Sequence, residues 1–293
     1  RDRSPSRGLG DVYKRQMFDY ALYEEFRNEN PTGIFYLPLG ANYHRLDTLI
    51  SSITLDEAKK FSSDIAFVGS LYTEKCPYNR LKEDGSYLKG YLDGLIEAQL
   101  KVYGYNFLEE CITDDMVGEF KKKVPFYQFP EKAVHNDKAA LAHLYLGNKV
   151  TEQERLRLLK SIARYHKVTL YTGSDVSGLP QVEMRGLAKT MTEMPKIFHL
   201  SKINLNFTSK PIRTGLPLRI WDILGAGGFV LTNYQTEITE YFEIGNELET
   251  FSSEEELLDK ISYYLTHEEE RCKIARRAVS YTHLRAHETD SYL

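Results

Sequence analysis

From about residue 64 onward the chain alternates short apolar runs with amphipathic stretches, and that alternation limits the possible folds more than any other feature. IAFVGSLY (65–72), KVTLYTG (167–173), KINLNF (202–207), GGFVLTN (227–233) and NELETF (246–251) read as strands. Between them, Leu88, Leu92, Leu95, Ile96 and Leu100 share one helical face within 86–110, and LRLLKSIARYH (156–166) repeats every 3.6 residues. PLRIWDIL (217–224) is a helix opened by Pro217, whose missing N–H costs nothing there. Two acid-first helices, EEELLDKISYYL and EEERCKIARRAV, follow the last strand. Apolar strands separated by helices are what a parallel sheet covered on both faces requires. The expected fold is therefore α/β: a doubly wound, Rossmann-like parallel sheet with a helical insertion at about 74–150.

Composition excludes several classes. With 42% hydrophobic residues in 293, including 14 Phe and 21 Tyr, a sizeable core can form. A net charge of −4 gives no nucleic-acid footprint. No apolar run approaches the ~20 residues of a membrane span. The three cysteines, Cys76, Cys111 and Cys272, are widely spaced and lack any CxxC, so neither a disulfide framework nor a cysteine zinc site is expected; a reducing, cytoplasmic setting fits. The two ends look foreign to the rest. Residues 1–16 (RDRSPSRGLGDVYKRQ) and 280–293 (SYTHLRAHETDSYL) lack hydrophobic periodicity and resemble translated sequencing adapter. On that expectation His283 and His287 are no metal pair, residues 17–56 are a remnant of an N-terminal domain with its linker, and 57–279 form the ligand-binding domain. Within the remnant, FDYALYEEF reads as a short helix and GIFYLPLGAN (33–42) as a strand; polar residues then lead to Asp64.

In such a sheet ligands bind beyond the carboxyl ends of the strands. Gly69, Ser70 and Tyr72, then Thr172, Gly173, Ser174 and Asp175, then Thr208 and Ser209, then Asn233 and Tyr234 fall there. The most informative stretch is SKPIRTGLPLRIWDILGAGGFVLTN (209–233). Its loop brings Lys210, Arg213 and Thr214 to a helix start, where free N–H groups stabilise an anion. Gly215 allows close backbone approach, with Leu216 next to it. Arg219 is suited to fork onto a diphosphate. Asp222, one turn on, is placed to accept from ribose hydroxyls; the alternative is an ordinary i, i+3 ion pair with Arg219. GAGG (225–228) closes a helix and opens a strand, the reverse of a dinucleotide fingerprint; Gly225 and Gly227 read as a C-terminal cap and close packing, and Gly227 is retained as a possible pocket residue. There is no DxD or HExxH, and His44, His135, His143, His166 and His199 show no metal-ligand spacing. Asp114–Asp115 and the acidic runs 254–256 and 268–270 read as solvated helix starts.

Residues 195–279, PKIFHLSKINLNF through EEERCKIARRA, resemble the CgeB-like (spore maturation protein) glycosyltransferases, of the GT-B fold and the group 1 type. IAFVGSLY and FYLPLGAN look like the first strand of the nucleotide-binding domain and the linker before it. The resemblance implies metal-independent transfer of a sugar from a nucleoside-diphosphate sugar to an unknown protein or polysaccharide acceptor, with no cofactor. It implies that Arg219 and Asp222 are catalytic, and that the donor is held by Gly69, Ser70, Thr172, Gly173, Ser174, Lys210, Arg213, Thr214, Gly215, Leu216, Arg219, Asp222 and Gly227. Relatives carry two carboxylates around this turn. Here the second matches Asp222, while the position eight residues earlier is Thr214. A GT-B enzyme also needs two Rossmann-like domains, so the chain is expected to be the donor half. Rival readings are a non-catalytic nucleotide-sugar or carbohydrate-binding module and a nucleotide-sugar epimerase.

Overall fold

The computed structural model describes residues 15–83, 85–129 and 136–290, with side chains as far as residue 279. The described residues open with a small βαβ unit. β1 (Arg15–Met17) and β2 (Ile34–Tyr36) pair in parallel, joined through α1 (Tyr20–Phe26), whose N-cap Asp19 accepts from the Leu22 N–H. Arg15 and Gln16 thus belong to a paired strand, which corrects the expectation that the first sixteen residues stand apart from the fold; residues 1–14 lie outside the described residues.

The stretch expected to be merely polar holds two helices, α2 (Tyr43–Ser51) and α3 (Leu55–Phe61). Asn42 caps the first, and Thr54 with Glu57 forms a reciprocal capping box at the second. Tyr43, Leu46 and Phe61 supply their buried contacts.

β3 (Ser63–Val68) opens the main sheet. The insertion follows: a 3₁₀ turn (Pro77–Arg80), α4 (Tyr87–Gln99), α5 (Asp114–Lys123), and α6 (Asp137–Ala139), which runs through a π-helical segment (Ala140–Gly147) into α7 (Asn148–Ala163). The acids of Asp114–Asp115 occupy the first turn of α5, as read from the sequence. The remaining order is β4 (Val168–Tyr171), β5 (Glu183–Met184), α8 (Met194–Leu200), β6 (Ser201–Asn206), α9 (Leu218–Gly225), β7 (Val230–Asn233), α10 (Ile238–Tyr241), β8 (Glu249–Phe251), α11 (Glu254–Thr266) and α12 (Glu268–Asp290). The two-residue β5 was too short to leave a periodic signal.

All six strands are parallel, in the order β5-β4-β3-β6-β7-β8. Counted along the chain this is 3-2-1-4-5-6, the doubly wound order in which the sheet reverses between its first and fourth strands. One face is covered by a cluster including Ile197, Phe198, Ile220, Trp221 and Leu224 of α8 and α9, with Leu46 and Phe61 from α2 and α3 buried nearby. The other is covered by Leu158, Leu159 and Ile162 of α7 and Leu257 and Ile261 of α11. A third cluster, around Leu88, Leu92, Phe120 and Tyr145, holds the insertion together. The backbone stays helical through 280–290, so the break in sequence pattern at 280 is not a break in the helix; Leu, Arg, Ala and Glu in that stretch are good helix formers. Among the described residues no helix is long and apolar enough to cross a membrane.

Candidate active site

The sheet reverses between β3 and β6, and the carboxyl ends of strands at such a switch point are where doubly wound sheets open a crevice. Arg155, from α7, spans it. Nη1 donates to the Ser70 carbonyl at 2.6 Å and Nη2 to the Phe207 carbonyl at 2.5 Å, tying together the chain just past both strands. Its guanidinium lies 4.8 Å from the centre of the Tyr72 ring, and Nε has no hydrogen-bond partner among the described residues. Burial lowers the Arg155 pKa to about 10, with the charge of Tyr72 and Glu154 opposing the fall.

The loops beside it are braced to one another. Tyr72 has a positive φ of 67°, a conformation that costs a non-glycine residue of order 1–3 kcal/mol, and its hydroxyl reaches Ser209 Oγ at 3.1 Å. Ser174 Oγ accepts from the Leu71 N–H at 2.8 Å, and Thr172 Oγ1 accepts from the Ser174 N–H at 3.1 Å. The Gly69 N–H donates to the Tyr171 carbonyl, and a Cβ on Gly173 would stand 3.1 Å from Leu187. Glu74 closes one side. Burial alone would raise its carboxyl, but hydrogen bonds from its own backbone N–H, Ser70, Ser174 and Thr73 override this and hold it at about 2.

Arg219 enters from the opposite face of the sheet. It lies over the Phe198 ring, 5.4 Å from its centre, and contacts Met194 Sδ. Its separation from Asp222 is 3.8 Å, beyond hydrogen-bond distance, so the i, i+3 pair is loose. Burial lowers the Arg219 pKa, partly offset by Asp222. Burial also raises that of Asp222, against the pull of Arg219 and Arg45. Arg219 is near enough for its charge to lower the Arg155 pKa further, which sets these two largely buried guanidinium groups in one neighbourhood.

The remaining residues singled out in the sequence divide. Gly69, Ser70, Thr172, Gly173 and Ser174 lie at the carboxyl ends, as expected. Lys210 turns inward: its ammonium meets Glu154 at 3.1 Å and the Tyr103 ring at 4.6 Å, and its N–H donates to Thr151. The Arg213 side chain points to Glu25 at 2.6 Å, Glu109 at 3.3 Å and His143 Nε2 at 2.9 Å. Burial, then the Arg213 charge, lowers the His143 pKa. Leu216 buries its side chain in the core. Gly227 lies at the other end of the sheet from the crevice, which corrects its place in the pocket. The eight residues of α9 carry the chain about 12 Å back along the strands, and the helix ends in a Schellman cap: Gly227, at φ 72°, donates to Leu224 O and Gly228 to Ile223 O. His135 lies outside the described residues. His199 is structural: its Nδ1 meets the Ala226 carbonyl at 2.9 Å.

The loop 213–215 is engaged by the N-terminal unit. Asp19 Oδ2 accepts from the backbone N–H groups of Arg213, Thr214 and Gly215 at 2.6, 3.1 and 3.2 Å, in the manner of an anion nest. Thr214 Oγ1 lies 3.1 Å from Asp19 Oδ1 and 2.6 Å from Glu237 Oε1. Gly215 is needed here for approach alone, because a Cβ would come within 2.8 Å of Asp19 Cα. Sequence reasoning missed Arg155, Glu74, Asp19 and Glu237. Only Arg155 carried a signal: it falls on the same helical stripe as Leu158, Leu159 and Ile162.

Residues 147–292, which hold β4 to β8 and the Arg219 helix, match the glycosyl transferase-like family. The C-terminal half of this chain is therefore similar to that family. No curated protein matches the chain. Among solved structures, it is similar to Anabaena HepE in complex with UDP and glucose, at 10% identity and a TM-score of 0.49, with 96% of this chain and 64% of that one covered. It is also similar to a glycosyltransferase from Rickettsia africae, at 12% identity and a TM-score of 0.43, with 92% and 58% covered. Staphylococcus aureus TarM, in a complex containing UDP, gives 12% identity and a TM-score of 0.44, with 92% and 40% covered. The chain thus spans less than two thirds of the length of each of these structures. The matched residues contribute Arg155 and the loops after β4, β6 and β7, while Gly69, Ser70 and Glu74 come from before them.

Proposed function

We propose that the chain is the donor-binding part of a glycosyltransferase of the GT-B, CgeB-like kind: it holds a nucleoside-diphosphate sugar in the crevice between β3 and β6 and passes the sugar to an acceptor. The observation that carries this reading is the pair of desolvated guanidinium groups, Arg155 and Arg219, entering the switch point from opposite faces. As the bond from sugar to diphosphate breaks, negative charge builds on the leaving phosphate. Arginine groups held in a water-poor crevice offset that charge without needing to reorganise. This is also the basis for proposing a transfer that does not depend on a metal ion. Asp222, whose carboxyl is raised by burial, lies 3.8 Å from Arg219, and in this reading it accepts from the ribose hydroxyls.

The test compares a nucleoside diphosphate with its parent nucleoside. Arg219→Ala should weaken binding of the diphosphate about tenfold and leave the nucleoside largely unchanged, whereas Asp222→Ala should weaken both. Equal, negligible effects on both ligands would remove the support for this site. The non-catalytic alternative is favoured by Thr214 standing where relatives carry a carboxylate. It predicts binding of the nucleotide-sugar without hydrolysis or transfer.

A further inference from the structure

Beside the 213–215 loop lies a second cavity. It encloses about 550 Å³ between the N-terminal unit and α10, and its walls include Tyr20, Tyr36, Thr214, Glu237, Glu240 and Tyr241. Its chemistry is opposite to that of the crevice. Among the described residues no lysine, arginine or histidine lines it, so a phosphate or carboxylate would face two glutamates with nothing there to offset the repulsion. A neutral ligand meets no such barrier.

The walls also say what kind of neutral ligand fits. Tyr20 and Tyr36 stand nearly perpendicular, at 89° with centroids 5.3 Å apart, and Tyr20 is 47% exposed, leaving a ring face open. At the base sits Glu237, itself 5% exposed. Its Oε1 accepts from the Tyr20 N–H at 2.7 Å and the Thr214 hydroxyl at 2.6 Å, and its Oε2 accepts from the Tyr36 hydroxyl at 2.7 Å. The Tyr241 hydroxyl contacts that of Tyr36 and steadies it. A carboxylate offers about four acceptor sites; these three bonds leave one on Oε2. An immobilised acceptor next to an open aromatic face matches a ring that is apolar on its C–H face and carries hydroxyl donors at its edge.

We infer that this cavity is a pyranosyl subsite in which Glu237 accepts from a ring hydroxyl and Tyr20 stacks on the sugar face. The inference rests on the donor-binding reading above. Two sources present the same chemistry: the sugar of the nucleotide donor, and a free or chain-terminal sugar acting as acceptor.

Calorimetric titration of the full chain separates them. The ligands are UDP, GDP and TDP, their glucose, galactose and N-acetylglucosamine conjugates, and the corresponding methyl glycosides; the variants are Glu237→Gln and Tyr20→Ala. If the donor sugar occupies the subsite, one conjugate binds about tenfold more tightly than its bare nucleotide. Both variants then reduce that ratio to near one while the nucleotide's own affinity holds. If a free sugar occupies it, a methyl glycoside binds to the wild type and about tenfold more weakly to both variants, and the conjugates bind no better than the nucleotides. The inference is overturned if neither variant changes any sugar-dependent affinity, or if tetramethylammonium rather than any glycoside occupies the cavity. Tyr20→Ala guards against misfolding, because the backbone N–H that holds Glu237 is retained. If no nucleotide binds at all, the donor-binding reading fails, and the methyl glycosides still decide the subsite.

Discussion

The crevice between β3 and β6 and the junction where the N-terminal unit meets the 213–215 loop are built on opposite rules. The crevice is cationic and keeps unspent capacity: Arg155 has an unpartnered Nε, and Arg219 is only loosely paired. The junction is anionic and nearly saturated, with Asp19 and Glu237 converging on Thr214 and their oxygens occupied by donors from the chain itself. A buried group with unmet hydrogen-bonding capacity is costly to maintain unless something fills it. The crevice is therefore the region we propose to receive an anion. The junction is shaped to hold two parts of the chain together and to leave at its edge a cavity suited to a neutral ligand.

Substitutions can break this contrast. The largest effect is expected from Arg155→Met, which strips the donors from the buried Ser70 and Phe207 carbonyls. It should lower unfolding free energy by about 3 kcal/mol and weaken nucleoside diphosphate binding more than tenfold, read from urea denaturation and calorimetry together. Gly215→Ala comes next. Its Cβ would press on the Asp19 backbone, so the N-terminal unit must shift, at a cost of about 2 kcal/mol. Tryptic cleavage at Arg27 should then accelerate. Asp19→Asn keeps the shape but turns an amide N–H₂ or a neutral oxygen toward three N–H donors. A loss of about 1 kcal/mol is expected, with no fall in diphosphate affinity; a tenfold fall would mean that the two regions are one site.

The smallest effects lie in the pH dependence and carry opposite signs. The Glu74 carboxyl is held at about 2 in the folded chain, below its ordinary 4.5. It thus contributes stability that is present above 4.5 and lost as the pH falls through about 2. Glu74→Gln should flatten the acid limb of stability in that window. Asp222 is shifted upward by burial, so its contribution is present at low pH and declines as the pH rises past its ordinary 3.8. Asp222→Asn should therefore gain on the wild type as the pH rises through that value. Urea midpoints measured at intervals from pH 2 to 7 check both.

The sheet was legible because apolar runs such as IAFVGS and KINLNF are bounded by glycine and helix signals, and a parallel sheet must bury both faces. The helices at 43–51 and 55–61 were legible in principle through Asn42 and the Thr54–Glu57 capping box, but their few buried residues left a weak apolar rhythm. The loops at the strand ends were found for the same reason as the strands. Asp19 and Glu237 were not, since the contacts that define them reach 194 and 217 residues along the chain, to Arg213 and to Tyr20 respectively, and no local spacing records such a meeting. Lys210 and Arg213 illustrate the converse. Their charge suggested a phosphate, but each has an acidic partner that only the fold brings near.

The central claim is that the crevice takes the diphosphate of a nucleotide through Arg155 and Arg219. A thermal-shift titration of the full chain against UDP, GDP and TDP, repeated on Arg219→Ala, tests it most directly. The account predicts that one nucleotide, at a hundred times its Kd, stabilises the wild type by about 2.7 kcal/mol, and that Arg219→Ala, binding it about tenfold more weakly, cuts this to about 1.4 kcal/mol at the same concentration. A shift of equal size in both proteins, or none with any nucleotide, would contradict it.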